Sequence, residues 1–200
     1  MTGEVPSARD AILAAVRQAL PPAVARDEAP PPTSSANDGE LTRTDAFVAA
    51  AIAAGTDVTV CPRDDVGRVV GAALDGARSI LSFATAVSSR DVPEGGVHAL
   101  AALDALVFES TLGVAENGAV WIATSDERFR AGLFLAERVV VVVAESDLVE
   151  DLHAAYARLD VGAFPFGAFI AGPSKTADIE QSLVIGAHGP KQFSIVVVRA

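Results

Sequence analysis

Two short stretches of this sequence place reactive residue types where they can meet a ligand. The first is Gly172-Pro173-Ser174-Lys175-Thr176-Ala177-Asp178-Ile179-Glu180. An apolar run, Phe166 to Ala171, ends in Gly-Pro, and small polar residues and a lysine follow it. A strand that leads into a helix in this way leaves backbone N–H groups unpaired at the helix start, where the dipole favours an anion. Gly172, Pro173, Ser174, Lys175, Thr176 and Asp178 are therefore candidates for holding a small phosphate or carboxylate. On this reading the reversal Lys175→Glu weakens anion binding. In the alternative, Ser174 or Thr176 only caps the helix, and Asp178 and Glu180 complement its dipole. The stretch is no Walker loop, because Lys175 does not follow Gly172 directly and the residues after Gly167 read as a strand. Downstream, His188 stands on the loop Gly186-Ala187-His188-Gly189-Pro190. A histidine near the same sheet edge suits general acid–base work at neutral pH, or it is simply solvated.

The second stretch is Ala115-Glu116-Asn117-Gly118. Asn-Gly turns a hairpin readily because both residues tolerate positive φ. A carboxylate on such a turn can contact a ligand or act as a nucleophile, or it can be a solvated surface group. Glu116, Asn117 and Gly118 join the candidate list, and both turns are expected to open on one cleft. His98 and His153 lack metal-ligand spacing, and no metal site is predicted. With one cysteine, Cys61, the chain has no internal disulfide and no four-thiolate cluster of its own. Cys61 reads as a small hydrophobe at a strand end.

The elements that must position these residues alternate. Ser7 caps a helix with Ile12, Leu13, Val16 and Leu20 on one face, giving an amphipathic segment over 1–20. Residues 21–40 are rich in Pro, Ala, Ser and Asp and read as a flexible linker. A body spans 41–200. In it, Leu41 to Ile52 is a helix, Asp57 to Val60 a strand, Asp64 to Leu74 a helix, and Ser79 to Phe83 a strand. Leu112 to Thr124 forms paired short strands, and Val139 to Ala144 is a strand buried on both faces. Ser146 caps a helix running to Arg158. Phe166 to Ala171 is a strand, Thr176 to Leu183 a helix, and Phe193 to Val198 the last strand. This alternation predicts a three-layer α/β fold with a parallel or mixed sheet. Ligands in such sheets lie beyond the carboxyl ends of the strands, where the Gly172 loop is expected to sit.

The bulk numbers limit the partners. Fifteen basic against 26 acidic residues leave a net charge of −11, which repels nucleic acid and anionic membranes. The N-terminal residues lack a basic, apolar leader and no run is long enough to span a bilayer, so the cytoplasm is the expected compartment.

Phe169 to Glu180, followed by Val184-Ile185-Gly186-Ala187-His188-Gly189-Pro190-Lys191, resembles the C-terminal signature of the LUD domain of lactate-utilisation proteins B and C. The leading helix and linker, and the lack of ferredoxin-type cysteines, resemble protein C. Where family members often carry an acidic-Thr-Gly sequence, this chain has Glu116-Asn117-Gly118. The resemblance implies a Rossmann-like fold of the ribose-phosphate isomerase and CoA-transferase type. It also implies a part in converting L-lactate to pyruvate alongside iron–sulfur subunits A and B, which carry the clusters; none is expected in this chain. Ala115-Glu116-Asn117-Gly118 is also similar to the Ser-Glu-Asn-Gly motif of class I CoA transferases, whose Glu forms a thioester. A free-standing isomerase or acyl-transferase-like enzyme, a non-catalytic regulatory module, and a homo-oligomer remain open alternatives.

Overall fold

The computed structural model describes residues 7–19, 42–179 and 182–199. The segment 21–40, read as a linker, lies outside them. The chain divides into Met1–Ala36 and Asn37–Ala200. In the first unit, α1 (Ala8–Ala19) begins as its composition dictates, with Ser7 Oγ accepting from the Asp10 N–H at 3.2 Å. Ile12, Leu13 and Val16 are all exposed, and no residue of α1 is buried.

The second unit opens on a capping box. Thr42 accepts from the Asp45 N–H, Asp45 returns the bond, and α2 (Arg43–Ala53) follows with Phe47 and Ala51 fully buried. Five parallel strands then build the central sheet: β1 (Asp57–Pro62), β2 (Ile80–Phe83), β3 (Ala105–Ser110), β6 (Arg138–Ala144) and β11 (Gln192–Arg199). Their order is β1-β11-β6-β3-β2, which puts β1 and β2 at opposite edges. Val139 to Val143 of β6 are buried throughout, as expected of a strand with neighbours on both sides and layers on both faces.

A helix, α3 (Val66–Ala73), covers one face of the sheet and packs Val66 and Val70 against Val107, Val140 and Val196. The other face carries α2, α4 (Glu127–Leu135) and a second, smaller sheet. That sheet orders β7 (Leu148–Val149), β4 (Gly113–Val114), β5 (Ala119–Thr124) and β8 (Phe166–Ile170). Phe47, Leu106, Phe108, Ile122, Phe193 and Ile195 fill the space between. Each such side chain contributes roughly 1.5–3 kcal/mol by leaving water. The protein is α/β, with a parallel central sheet flanked by helices.

Two expectations from the sequence are corrected. The helix from Ser146 starts later: residues 145–147 form a 3-10 turn, β7 pairs in parallel with β4, and α5 (Leu152–Arg158) is capped by Asp151, which accepts from Ala154 N–H at 2.7 Å. The helix over Thr176 to Leu183 is instead a hairpin, β9 (Lys175–Ile179) against β10 (Ser182–Ile185). The β-branched Thr176, Ile179, Val184 and Ile185 suit paired strands, and a run this short nucleates a helix poorly.

Candidate functional site

Parallel strands deliver the residues that follow them to one rim, and in this fold class that rim receives ligands. Arg63 follows β1, Thr85 follows β2, and Glu109, Ser110 and Thr111 close β3. With Asp147, beyond β6, they line a cleft of about 370 Å³ at the carboxyl ends. Thr85 donates to Glu109 Oε1 from its backbone N–H at 2.7 Å and from its hydroxyl at 2.6 Å. These two bonds fix the carboxylate and leave Oε2 without a hydrogen bond among the described residues. Arg63 is exposed and likewise makes no side-chain hydrogen bond or salt bridge among them. Ser110 is turned inward, its hydroxyl 2.9 and 2.8 Å from the Leu112 and Trp121 carbonyl oxygens and able to donate its one proton to either, and this ties the rim to the second sheet. A guanidinium and a half-satisfied carboxylate lining one cleft offer it a partner for an anionic group and a partner for a hydroxyl.

The sequence did not bring these residues forward. Glu109-Ser110-Thr111 follows a run, Ala105 to Phe108, that the elements read from the sequence left unassigned; a strand placed there would have put Glu109 at a carboxyl end.

The residues it did bring forward separate. Gly172, Pro173, Ser174 and His188 share a cleft of about 280 Å³ with Phe134 and Pro190. This cleft lies at the amino edge of the central sheet, not the carboxyl edge: Phe193, near the start of β11, lines it, and Gly172 packs against Ala54, just before β1. With the helix replaced by a hairpin, the donors are spent internally. The Ser174 N–H donates to the Pro190 carbonyl at 2.9 Å, the Gly186 N–H to the Ser174 carbonyl at 2.9 Å, and Lys175 Nζ to the Ala54 carbonyl. Gly172 is required by backbone geometry, with φ +75 and a Cβ position 2.2 Å from the Ala54 oxygen. Lys175 and Thr176 open β9, and Asp178 lies within it.

Glu116 does stand on the β4–β5 hairpin turn, but it does not line the Gly172 cleft. Its Oε2 accepts from the Leu152 N–H at 3.1 Å, so the carboxylate sits at the start of α5. Asn117 Oδ1 accepts from the Ala119 N–H at 3.0 Å and closes the turn. Gly118 (φ +67) is wedged against α2, its Cβ position 2.3 Å from the Ala51 nitrogen. Cys61 is buried at the end of β1, and burial, with Asp65 nearby, pushes its thiol up. Among the described residues no group of three or more His, Cys, Asp or Glu is placed to hold a metal ion, and no helix is long and apolar enough to cross a membrane.

Comparison with known proteins places this architecture. A family profile described as the LUD domain matches residues 47–198, all of the central sheet but its last residue and nearly all of the body. The chain belongs to the LUD domain family. Among relatives of this LUD-domain chain is a lactate utilization protein C of Geobacillus thermodenitrificans, 35% identical over 95 residues, covering 44% of this chain and 40% of that protein. Another, from Shouchella clausii, is 34% identical over 94 residues, covering 44% and 41%. The matched stretch thus spans about two fifths of the length of these curated relatives. The LUD domain also resembles the crystal structure of a DUF162 family protein from Deinococcus radiodurans, with a TM-score of 0.57, 18% identity, and coverage of 79% of this chain and 99% of that one. At that identity the likeness is one of fold.

Proposed function

We propose that this LUD-domain protein is a component of a system converting L-lactate to pyruvate, and that its carboxyl-edge cleft receives the small 2-hydroxy acid. Support comes from the relatives, which are named for lactate utilisation. The observation that carries the reading is that Arg63 and a fixed, half-satisfied Glu109 line one strand-end cleft. A 2-hydroxy acid presents a carboxylate that a guanidinium grips in bidentate fashion. Its hydroxyl donates naturally to the open Glu109 Oε2. A single buried cysteine supplies no cluster, so in this proposal the electrons pass to iron–sulfur subunits A and B, and the assembly is cytoplasmic. The Ser174–His188 cleft at the amino edge is the second place proposed to take a small anion.

Calorimetric titration of the full chain with L-lactate and pyruvate, together with capture of the iron–sulfur subunits on the tagged protein, tests this. Saturable binding that Arg63→Ala weakens, and recovery of both subunits, is the expected outcome. Absence of binding to either acid and of any captured subunit removes the proposal.

A further inference from the structure

We propose that the cleft next to the Arg63–Glu109 cleft is a binding site for a planar heteroaromatic ring. Glu109 and Thr111 line both, so the two clefts adjoin along the carboxyl edge. The second has a volume of about 240 Å³ and is lined by Phe108, Trp121, Phe129 and Phe164 among others. The only tryptophan and three of the nine phenylalanines of the chain therefore converge on one small space.

Such density is ordinary in a sealed core, but this space is open. Phe164 is half-exposed, on the segment between α5 and β8, whereas Phe108, Phe129 and Trp121 are buried and present only part of their surface to the space. The polar lining is of mixed sign. Arg158 makes no side-chain hydrogen bond or salt bridge among the described residues, Asp160 Oδ1 accepts from the Gly162 N–H at 3.1 Å, and Glu109 also lines the space. An aliphatic ligand leaves these polar groups unmatched, and a simple anion leaves the aromatic lining unused. A heteroaromatic ring of the purine or flavin kind satisfies both, because its faces stack on aromatic side chains and its edge carries donors and acceptors. The volume falls below the ~300–1,000 Å³ of sites for drug-sized ligands, so one or two fused rings fit and the rest of a larger ligand lies outside. The inference does not depend on lactate being the occupant of the adjoining cleft.

Trp121 gives a direct readout, since it is the chain's single tryptophan, its indole N–H gives one assignable resonance, and its side chain lines this cleft. The full chain, nitrogen-labelled, is titrated with riboflavin, with adenosine and with myo-inositol as a hydroxylated, non-aromatic control. At least one ring probe is expected to move the Trp121 resonance saturably while inositol does not. Phe164→Ala is expected to weaken that probe about fivefold, equivalent to ~1 kcal/mol, and Phe164 is exposed enough for the variant to fold. The proposal is overturned if neither ring probe moves the resonance, if inositol moves it equally, or if Phe164→Ala leaves the affinity unchanged. L-lactate titrated alone on the same sample is scored separately, so failure of the lactate reading and failure of this one are told apart.

Discussion

The two rims of the central sheet use polar groups in opposite ways. At the amino rim they are turned on the protein itself: Arg138 Nη1 donates to the carbonyls of Ala73 and Asp75 at 2.9 Å each, Asp104 accepts from the Arg78 and Ser79 N–H groups at 2.8 and 3.0 Å, and Lys191 pairs with Glu137. Lys175 and the backbone around Ser174 are likewise committed. At the carboxyl rim, Arg199 approaches Glu145 at 3.7 Å, but Arg63, Arg158 and one oxygen of Glu109 keep their valence among the described residues. Thr56 Oγ1 and Ser79 Oγ, buried at the amino rim, have no partner among the described residues, but a rim whose other donors and acceptors answer each other closes the ends of strands and helices. A rim with groups left over has something to offer a ligand. The contrast assigns stability to the first and recognition to the second.

Substitutions can break that assignment. The largest effect is expected at the glycines that let the second sheet and the amino-rim loop close on α2. Gly172→Val and Gly118→Val each place a side chain at positive φ and inside 2.3 Å of backbone atoms of Ala54 or Ala51. Left-handed strain and overpacking at roughly 1–3 kcal/mol apiece predict a loss of about 3 kcal/mol or more in urea unfolding. A loss below about 1 kcal/mol shows that these contacts do not organise the rim. Arg63→Ala comes next. It is expected to weaken L-lactate more than tenfold, about 1.4 kcal/mol, with no change in the unfolding midpoint. If His188→Ala produces the larger loss of affinity, binding belongs to the amino rim and the contrast is reversed.

The sequence announced most of the frame. Val139 to Val143 cannot be exposed on either face, and the alternation around them requires helices above and below. Asn117-Gly118 marked its hairpin because its dihedrals are local. What it hid was context. Leu148 and Val149 look like the start of a helix unless the strand at Gly113 and Val114 is known to lie beside them. The residues after Gly172 satisfy a helix-start pattern as well as a strand pattern, and only the pairing of β9 with β10 decides between the two. Glu109 is hidden for a related reason: a carboxylate acquires meaning from its place at a strand end, and Ala105 to Ser110 carries no turn signal that marks β3.

Lys175→Glu sharpens the comparison at a smaller scale. Lys175 Nζ donates to the Ala54 carbonyl, so reversing its charge removes one bond to the end of α2. A stability loss of about 1 kcal/mol is expected, as for a typical hydrogen bond, with L-lactate affinity unchanged within about twofold. A tenfold fall in affinity returns Lys175 to the list of ligand contacts.

The smallest effect should appear only in the pH dependence of stability. Hydrogen bonds from the Ser79 N–H, then the Arg78 N–H, hold the Asp104 carboxyl below its ordinary range, with Arg78 and Arg138 adding to the shift and partial burial opposing it. A carboxylate whose folded pKa is depressed contributes stability fully above the unfolded value, about 3.9, and loses it as the pH falls through the lower folded value. Asp104→Asn keeps an oxygen for the two N–H groups and removes only the charge. At pH 7 the variant should be less stable by about 0.5 kcal/mol, since solvent screens much of a charge near the surface. The difference should shrink below pH 3.9 and vanish once the wild-type carboxyl is protonated. Parallel thermal unfolding curves from pH 7 downward measure it. A difference that stays constant across that range shows that the amide geometry, rather than the charge, is what Asp104 supplies to the closed rim.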